Sequence, residues 1–198
     1  MINNDENKKY IKNLTSSAVC LLLCMILPLL TGQIPQIGMA LAPMHIPVLI
    51  CGFITGPAYA MIIGLVAPLL RMMIFGMPMP FMATTMSFEL AAYGLVSGLL
   101  YKLLPKKILF IYVSLIAAML LGRIVWGIAA MQLAASAIFP ALPMGWERFG
   151  WSEFISAAFL TAVPGIIAHI VLIPLLVIAL QKAHFIDTYN PEPINKEL

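Results

Sequence analysis

Six apolar runs, punctuated by proline, glycine and lysine, constrain this chain more than any other feature of its sequence: Leu14–Leu30, His45–Gly56, Pro57–Phe75, Met82–Leu104, Ile108–Leu133 and Glu153–Leu180. A helix that crosses a bilayer needs about 20 mostly apolar residues, because its backbone groups find no water and must bond to one another. The runs therefore predict an all-α, polytopic membrane protein with six transmembrane helices, the second of them short. With 62% hydrophobic and 10% charged residues, the chain cannot cover a soluble globule with polar surface. Its 198 residues leave no room for a soluble catalytic or nucleotide-binding domain. Residues 1–198 thus read as one integral membrane domain, with tails at 1–12 and 183–198.

The breaks have physical causes. Gly56 ends the second helix and Pro57 opens the third. Gly76, Pro78 and Pro80 divide the third from the fourth, and Pro105-Lys106-Lys107 divides the fourth from the fifth. Lys8, Lys9, Lys12, Lys102, Lys106, Lys107 and Lys182 fall on one side, with Arg148 alone in an opposite loop, which predicts cytoplasmic termini. Trp146, Phe149 and Trp151 suit the external interface of the last loop. Lys8, Lys9 and Lys12 before an apolar run look like a signal peptide, but no small-residue cleavage site follows Leu30, so the segment reads as a retained helix. The charge of +3 lies at loops and suits orientation in a bilayer better than nucleic acid.

Small residues recur at four-residue spacing: Ser16, Cys20 and Cys24 in the first helix, Gly52 and Gly56 in the second, Gly94 and Gly98 in the fourth. Such faces admit close helix approach, within the protein or against a membrane partner. Cys20, Cys24 and Cys51 lie in apolar spans, where a free cysteine ordinarily packs as a small hydrophobe. The sequence shows no convincing internal repeat, which disfavours an inverted-repeat secondary transporter.

Arg71, Glu89 and Arg123 interrupt these spans, and each costs about 2.5–3.5 kcal/mol at mid-helix by insertion scales, so each is a candidate for function. Counted from the external helix ends, Arg71 lies about 8 Å deep, Glu89 about 13 Å and Arg123 about 15 Å. All three fall in one half of the membrane, and His45 at the start of the second helix can join them. Met86, Glu89 and Tyr93 share a face of the fourth helix, as Arg123 and Trp126 do on the fifth. Two guanidiniums against one carboxylate favour an anion. Alternatively, Glu89 neutralises one arginine in a structural ion pair, which still leaves the other in need of a counter-charge. His169, counted along an unbroken sixth helix, falls about 24 Å from Glu153, towards the cytoplasm and away from this group.

Met72, Met73, Met77, Met79, Met82 and Met86 crowd the turn between the third and fourth helices, as core filler or as a gate that repacks around a ligand. Gln33 and Gln36 of the first external loop are candidates for a lid over the pocket. There is no GxxxxGK[ST] run, no HExxH motif and no Cys/His spacing of a structural metal site. A P-loop ATPase, an intramembrane metalloprotease, a metal site and a resident cofactor are therefore not expected, and an enzyme is the weaker class.

From Pro43 to Tyr101 the chain resembles the substrate-binding membrane subunits (S-components) of energy-coupling factor vitamin transporters. The likeness rests on His45-Ile46-Pro47-Val48, the Gly52–Pro57 break, Ala67-Pro68-Leu69-Leu70-Arg71, Gly76-Met77-Pro78 and Phe88-Glu89-Leu90-Ala91-Ala92-Tyr93-Gly94. Within that family it is most similar to the pantothenate type. The resemblance implies a multi-pass protein of a bacterial plasma membrane that binds a vitamin from outside. It also implies a transmembrane coupling subunit and two cytoplasmic ATPases as partners. Ser16, Cys20 and Cys24 stand where the family carries small residues that meet the coupling subunit. The expected substrate site is Arg71, Glu89, Arg123, His45, Met86, Tyr93, Trp126 and Gln33. Cobalamin, folate, pyridoxine or a thiamin precursor as ligand, and a stand-alone secondary transporter of an organic anion, stay open alternatives.

Overall fold

The computed structural model describes residues 4–30, 41–136, 138–139, 150–183 and 185–186, and these are helical almost throughout. Helix α1 spans Asn4–Leu30, α2 His45–Thr55, α3 Pro57–Phe75, α4 Pro80–Leu103 and α5 Ile108–Ala135. The last segment is divided: α6 covers Trp151–Ile155, a π-helical turn covers Ser156–Leu160, and α7 covers Val163–Lys182. Among the described residues seven α-helices thus stand where six were expected. The tail expected at 1–12 is helical from Asn4 onward.

The breaks lie close to the expected places. Gly56 has φ 88° with extended ψ, a conformation open essentially to glycine, and reverses α2 into α3, whose first residue is Pro57. Gly76, at φ 69°, ends α3 in the left-handed conformation and donates its N–H to the Met72 carbonyl. The division of the last segment was not expected. Thr161 donates both its N–H and its hydroxyl to the Ser156 carbonyl, each at 2.9 Å, and a new helix starts with Pro164 in its first turn.

Among the described residues, four helices are long and apolar enough to cross a membrane, over Glu6–Leu30, Pro57–Phe75, Ile108–Ala135 and Val163–Lys182, and α2 is a shorter apolar helix. Helix α4 is long enough but less apolar, since it carries Thr84, Thr85, Ser87, Glu89, Tyr93 and Ser97. That composition is tolerated because α2, α3 and α5 pack around it. Its hydroxyls turn back on their own helix, with Ser87 donating to the Ala83 carbonyl at 2.8 Å and Ser97 to Gly94 at 3.3 Å.

Small residues let α2, α3 and α4 meet backbone to backbone. A Cβ on Gly94 would overlap the Ala60 carbonyl, one on Gly64 the Leu90 carbonyl, and one on Gly98 the backbone of Gly56 and Pro57. The small faces of α2 and α4 therefore serve contacts inside the protein. The stripe Ser16, Cys20 and Cys24 is likewise buried, packing α1 onto α2 and α3 around Met25, Val48 and Ala60. Its spacing left packing within the protein and contact with a membrane partner both open, and within this chain the stripe faces inward. At the far end of the bundle, Lys12 donates to the Phe185 carbonyl at 2.6 Å and Gln181 to the Tyr101 hydroxyl at 2.8 Å, so the two ends of the described chain lie together.

Candidate functional site

Glu89 sits in the middle of α4, 2% exposed, where the enclosing helices leave its carboxylate no water. The nearest groups from other elements supply what solvent would. Its Oε1 accepts a hydrogen bond from the hydroxyl of Tyr93, one turn along α4, at 3.1 Å. Arg123 of α5 brings Nη1 to 3.1 Å from the same oxygen, and His45 of α2 brings Nε2 to 3.4 Å. Gly122, the neighbour of Arg123, makes room for the Tyr93 ring, since a Cβ there would fall on the ring carbons. His45, Glu89, Tyr93 and Arg123 thus come together.

His169 joins them, contrary to the depth counted from Glu153. Its ring stacks on His45 with centroids 5.9 Å apart and planes at 23°, while His45 meets Tyr93 edge-on at 5.2 Å. The count failed because it assumed one straight helix. Measured from Val163, where α7 starts, His169 is only about 9 Å along the axis. Pro164 was the overlooked signal, because proline favours the first turn of a helix.

One short backbone element positions His45: Ala42, at φ 44° in a region uncommon for non-glycine residues, accepts the His45 N–H at 3.0 Å.

The cluster is balanced in charge but not in hydrogen bonds. Glu89 and Arg123 cancel as a buried ion pair. Arg123 Nε, His169 Nε2 and both ring nitrogens of His45 are nonetheless buried without a hydrogen-bond partner among the described residues. An unsatisfied buried polar group costs about 1–3 kcal/mol, and native interiors leave few of them. Several converging on one carboxylate suit a polar guest better than they suit packing.

The other expected residues are dispersed. Arg71 donates Nη1 to the Met25 carbonyl of α1 at 2.7 Å and lies over the Phe75 ring at 4.9 Å, so it meets the last turns of α1 rather than Glu89. Pro28 lies inside that part of α1, where its ring disturbs the helical hydrogen bonding of the preceding turn. Met86 packs with the cluster around Cys24 and Val48. Trp126, 4% exposed, stacks on Phe154 of α6 with centroids 6.2 Å apart, one turn beyond Arg123. Met73 and Met79 of the methionine-rich turn are exposed. Gln33, Gln36, Trp146, Arg148 and Phe149 lie outside the described residues. A groove of about 590 Å³ lined by Lys9, Asn13 and Tyr59 opens at the opposite end of the bundle and has no part in this cluster.

A family model described as "ECF transporter, substrate-specific component" matches residues 12–181. No curated protein and no solved structure matches the chain significantly.

Proposed function

The chain belongs to the substrate-specific component family of energy-coupling factor transporters, and from that premise we propose that it binds a small water-soluble vitamin, pantothenate, beside the Glu89–Arg123 pair. The observation that carries this reading is the cluster of unpartnered nitrogens from α2, α5 and α7, with Arg123 and His45 against one buried carboxylate and His169 stacked on His45. Arg123, His45 and His169 supply polar contacts to the vitamin, Glu89 orders them, and Tyr93 and Trp126 line the apolar part. Arg71, engaged with the Met25 carbonyl, acts at the rim by holding α1 against α3.

The lysine asymmetry supports placing this end of the bundle outside a bacterial plasma membrane, so that the vitamin enters from the exterior. Energy for uptake comes from a transmembrane coupling protein and two cytoplasmic ATPases, in keeping with a chain that has no P-loop.

Calorimetry on the detergent-purified protein with pantothenate and a panel of other vitamins tests this. Saturable binding of pantothenate that is lost in Arg123→Ala is the expected result. Binding of a different vitamin would reassign the substrate, and unchanged binding in Arg123→Ala would remove the site.

A further inference from the structure

At the end of the bundle away from Glu89, α1 and the start of α3 flank a groove of about 590 Å³, lined by Glu6, Asn7, Lys9, Tyr10 and Asn13 of α1 and by Tyr59 of α3. Small-molecule sites occupy about 300–1,000 Å³, so the space is large enough for a ligand. Farther along, the same two helices are closed on one another. Cys20 and Cys24 pack in one cluster with Ile63 and Ala67, and Arg71 donates to the Met25 carbonyl at 2.7 Å.

The groove is balanced in charge. Glu6, Lys9, Tyr10 and Asn13 recur at three- and four-residue spacing and share one flank of α1. Lys12 does not line the groove, because its Nζ donates to the Phe185 carbonyl at 2.6 Å and lies 4.7 Å from the centre of the Phe185 ring. One cation thus stands beside one carboxylate, and neither Lys9 nor Glu6 is engaged in an ion pair among the described residues. An anionic guest would meet Lys9 but be repelled by Glu6, whereas a zwitterion satisfies both.

Both walls turn apolar in the same direction. One turn beyond Tyr10, Leu14 is exposed, and on α3 Ile62 and Val66, three and seven residues beyond Tyr59, are exposed as well. In helices that cross a membrane, lysine and tyrosine belong at the interface and such apolar stripes in the hydrocarbon. From the tip of α1 inward, Glu6, Lys9 and Asn13 follow in steps of about 5–6 Å, with Leu14 next. An amino phospholipid carries the complementary order: ammonium outermost, then phosphate, glycerol esters and acyl chains.

We propose that this groove binds a lipid of the phosphatidylethanolamine type. Lys9 and the Tyr59 hydroxyl hold the phosphate, Glu6 and the Asn7 side-chain carbonyl hold the ammonium, Asn13 meets the esters, and the acyl chains lie along Leu14 and Ile62. The bound lipid clasps α1 to α3 at the end that Arg71 does not reach. It is independent of the vitamin assigned to the opposite end.

The test reconstitutes the full chain in vesicles of equimolar phosphatidylethanolamine and phosphatidylglycerol, releases it in mild detergent and identifies the retained lipid by native mass spectrometry. Wild type should retain phosphatidylethanolamine over phosphatidylglycerol by about threefold, the scale of one exposed charge pair. Glu6→Lys should invert the preference, a gain that misfolded protein cannot mimic, and Tyr59→Ala should lower retention of both lipids. Equal retention by wild type, or a preference for phosphatidylglycerol, would overturn the proposal. An unchanged ratio in Glu6→Lys would also overturn it, because the retained lipid would then lie elsewhere. Displacement of the lipid by an excess of free phosphoethanolamine would show a site for a soluble headgroup and overturn the lipid assignment.

Discussion

Helix α4 has two working regions, and they solve the problem of polar groups in an apolar medium in opposite ways. Towards Gly98 it meets α2 and α3 backbone to backbone, with hydroxyls folded onto their own helix and nothing left unpartnered at Ser97. Towards Glu89 it gathers Arg123, His45 and His169 from three other helices and leaves buried nitrogens without partners among the described residues. The contrast separates rigidity from recognition. The seam fixes where α2 and α4 stand, and the cluster uses that fixed geometry to hold side chains whose bonds are not all made among themselves.

The contrast can be broken most forcefully at the ion pair. Glu89→Ala leaves Arg123 charged and alone in the interior, and is expected to cost about 3–5 kcal/mol and abolish ligand binding. The double variant Glu89→Gln/Arg123→Met should recover most of the thermal stability in detergent but none of the binding. Recovery of both would reduce the pair to packing.

The seam should respond differently. Gly94→Ala drives a methyl group into the Ala60 backbone, with an expected loss of about 1–3 kcal/mol in denaturation experiments. The fraction that folds should bind with unchanged affinity, and a large loss of affinity would show that the two regions are not separable.

Gly122→Ala joins the regions. Its methyl displaces the Tyr93 ring and with it the hydrogen bond to Glu89. An affinity loss of about tenfold is expected, equivalent to about 1.4 kcal/mol. Tyr93→Phe, which removes the bond but keeps the ring, should lose less. The smallest effect belongs to Arg71→Lys, which keeps the charge but not the planar donor set at Met25. It should lower stability by about 1 kcal/mol and change affinity less than about threefold. A loss matching that of Arg123→Ala would put Arg71 back in the pocket.

Much of this was legible in the sequence, for reasons that apply residue by residue. Gly56-Pro57 and Gly76 have few conformational choices, so the bounds of α3 could be read directly. Glu89, Tyr93, His45 and Arg123 could be brought together because helical spacing and depth confine each to one level. Three features were hidden. Arg71 is held by a backbone carbonyl, and every residue has one, so no side-chain pattern announces it. The Ser16–Cys20–Cys24 stripe reports that something approaches closely but not what, and here it is α2 and α3. His169 was misplaced because Ser156–Leu160 reads as ordinary apolar helix although it winds as a π turn.

That turn sets the angular aim of everything after it. A π turn takes in more residues per revolution than an α-helix, and each residue of α-helix swings the following side chains by about 100° around the axis. The wider winding at Ser156–Leu160 and the step at Thr161 therefore choose which flank of α7 looks inward. A chain one residue shorter there would present Ile170, and one a residue longer Ala168, where His169 now meets His45, with almost the same composition and the same apolar profile. In a bundle whose membrane-facing surfaces are nearly interchangeable, chemical identity at the centre thus depends on counting as much as on residue type.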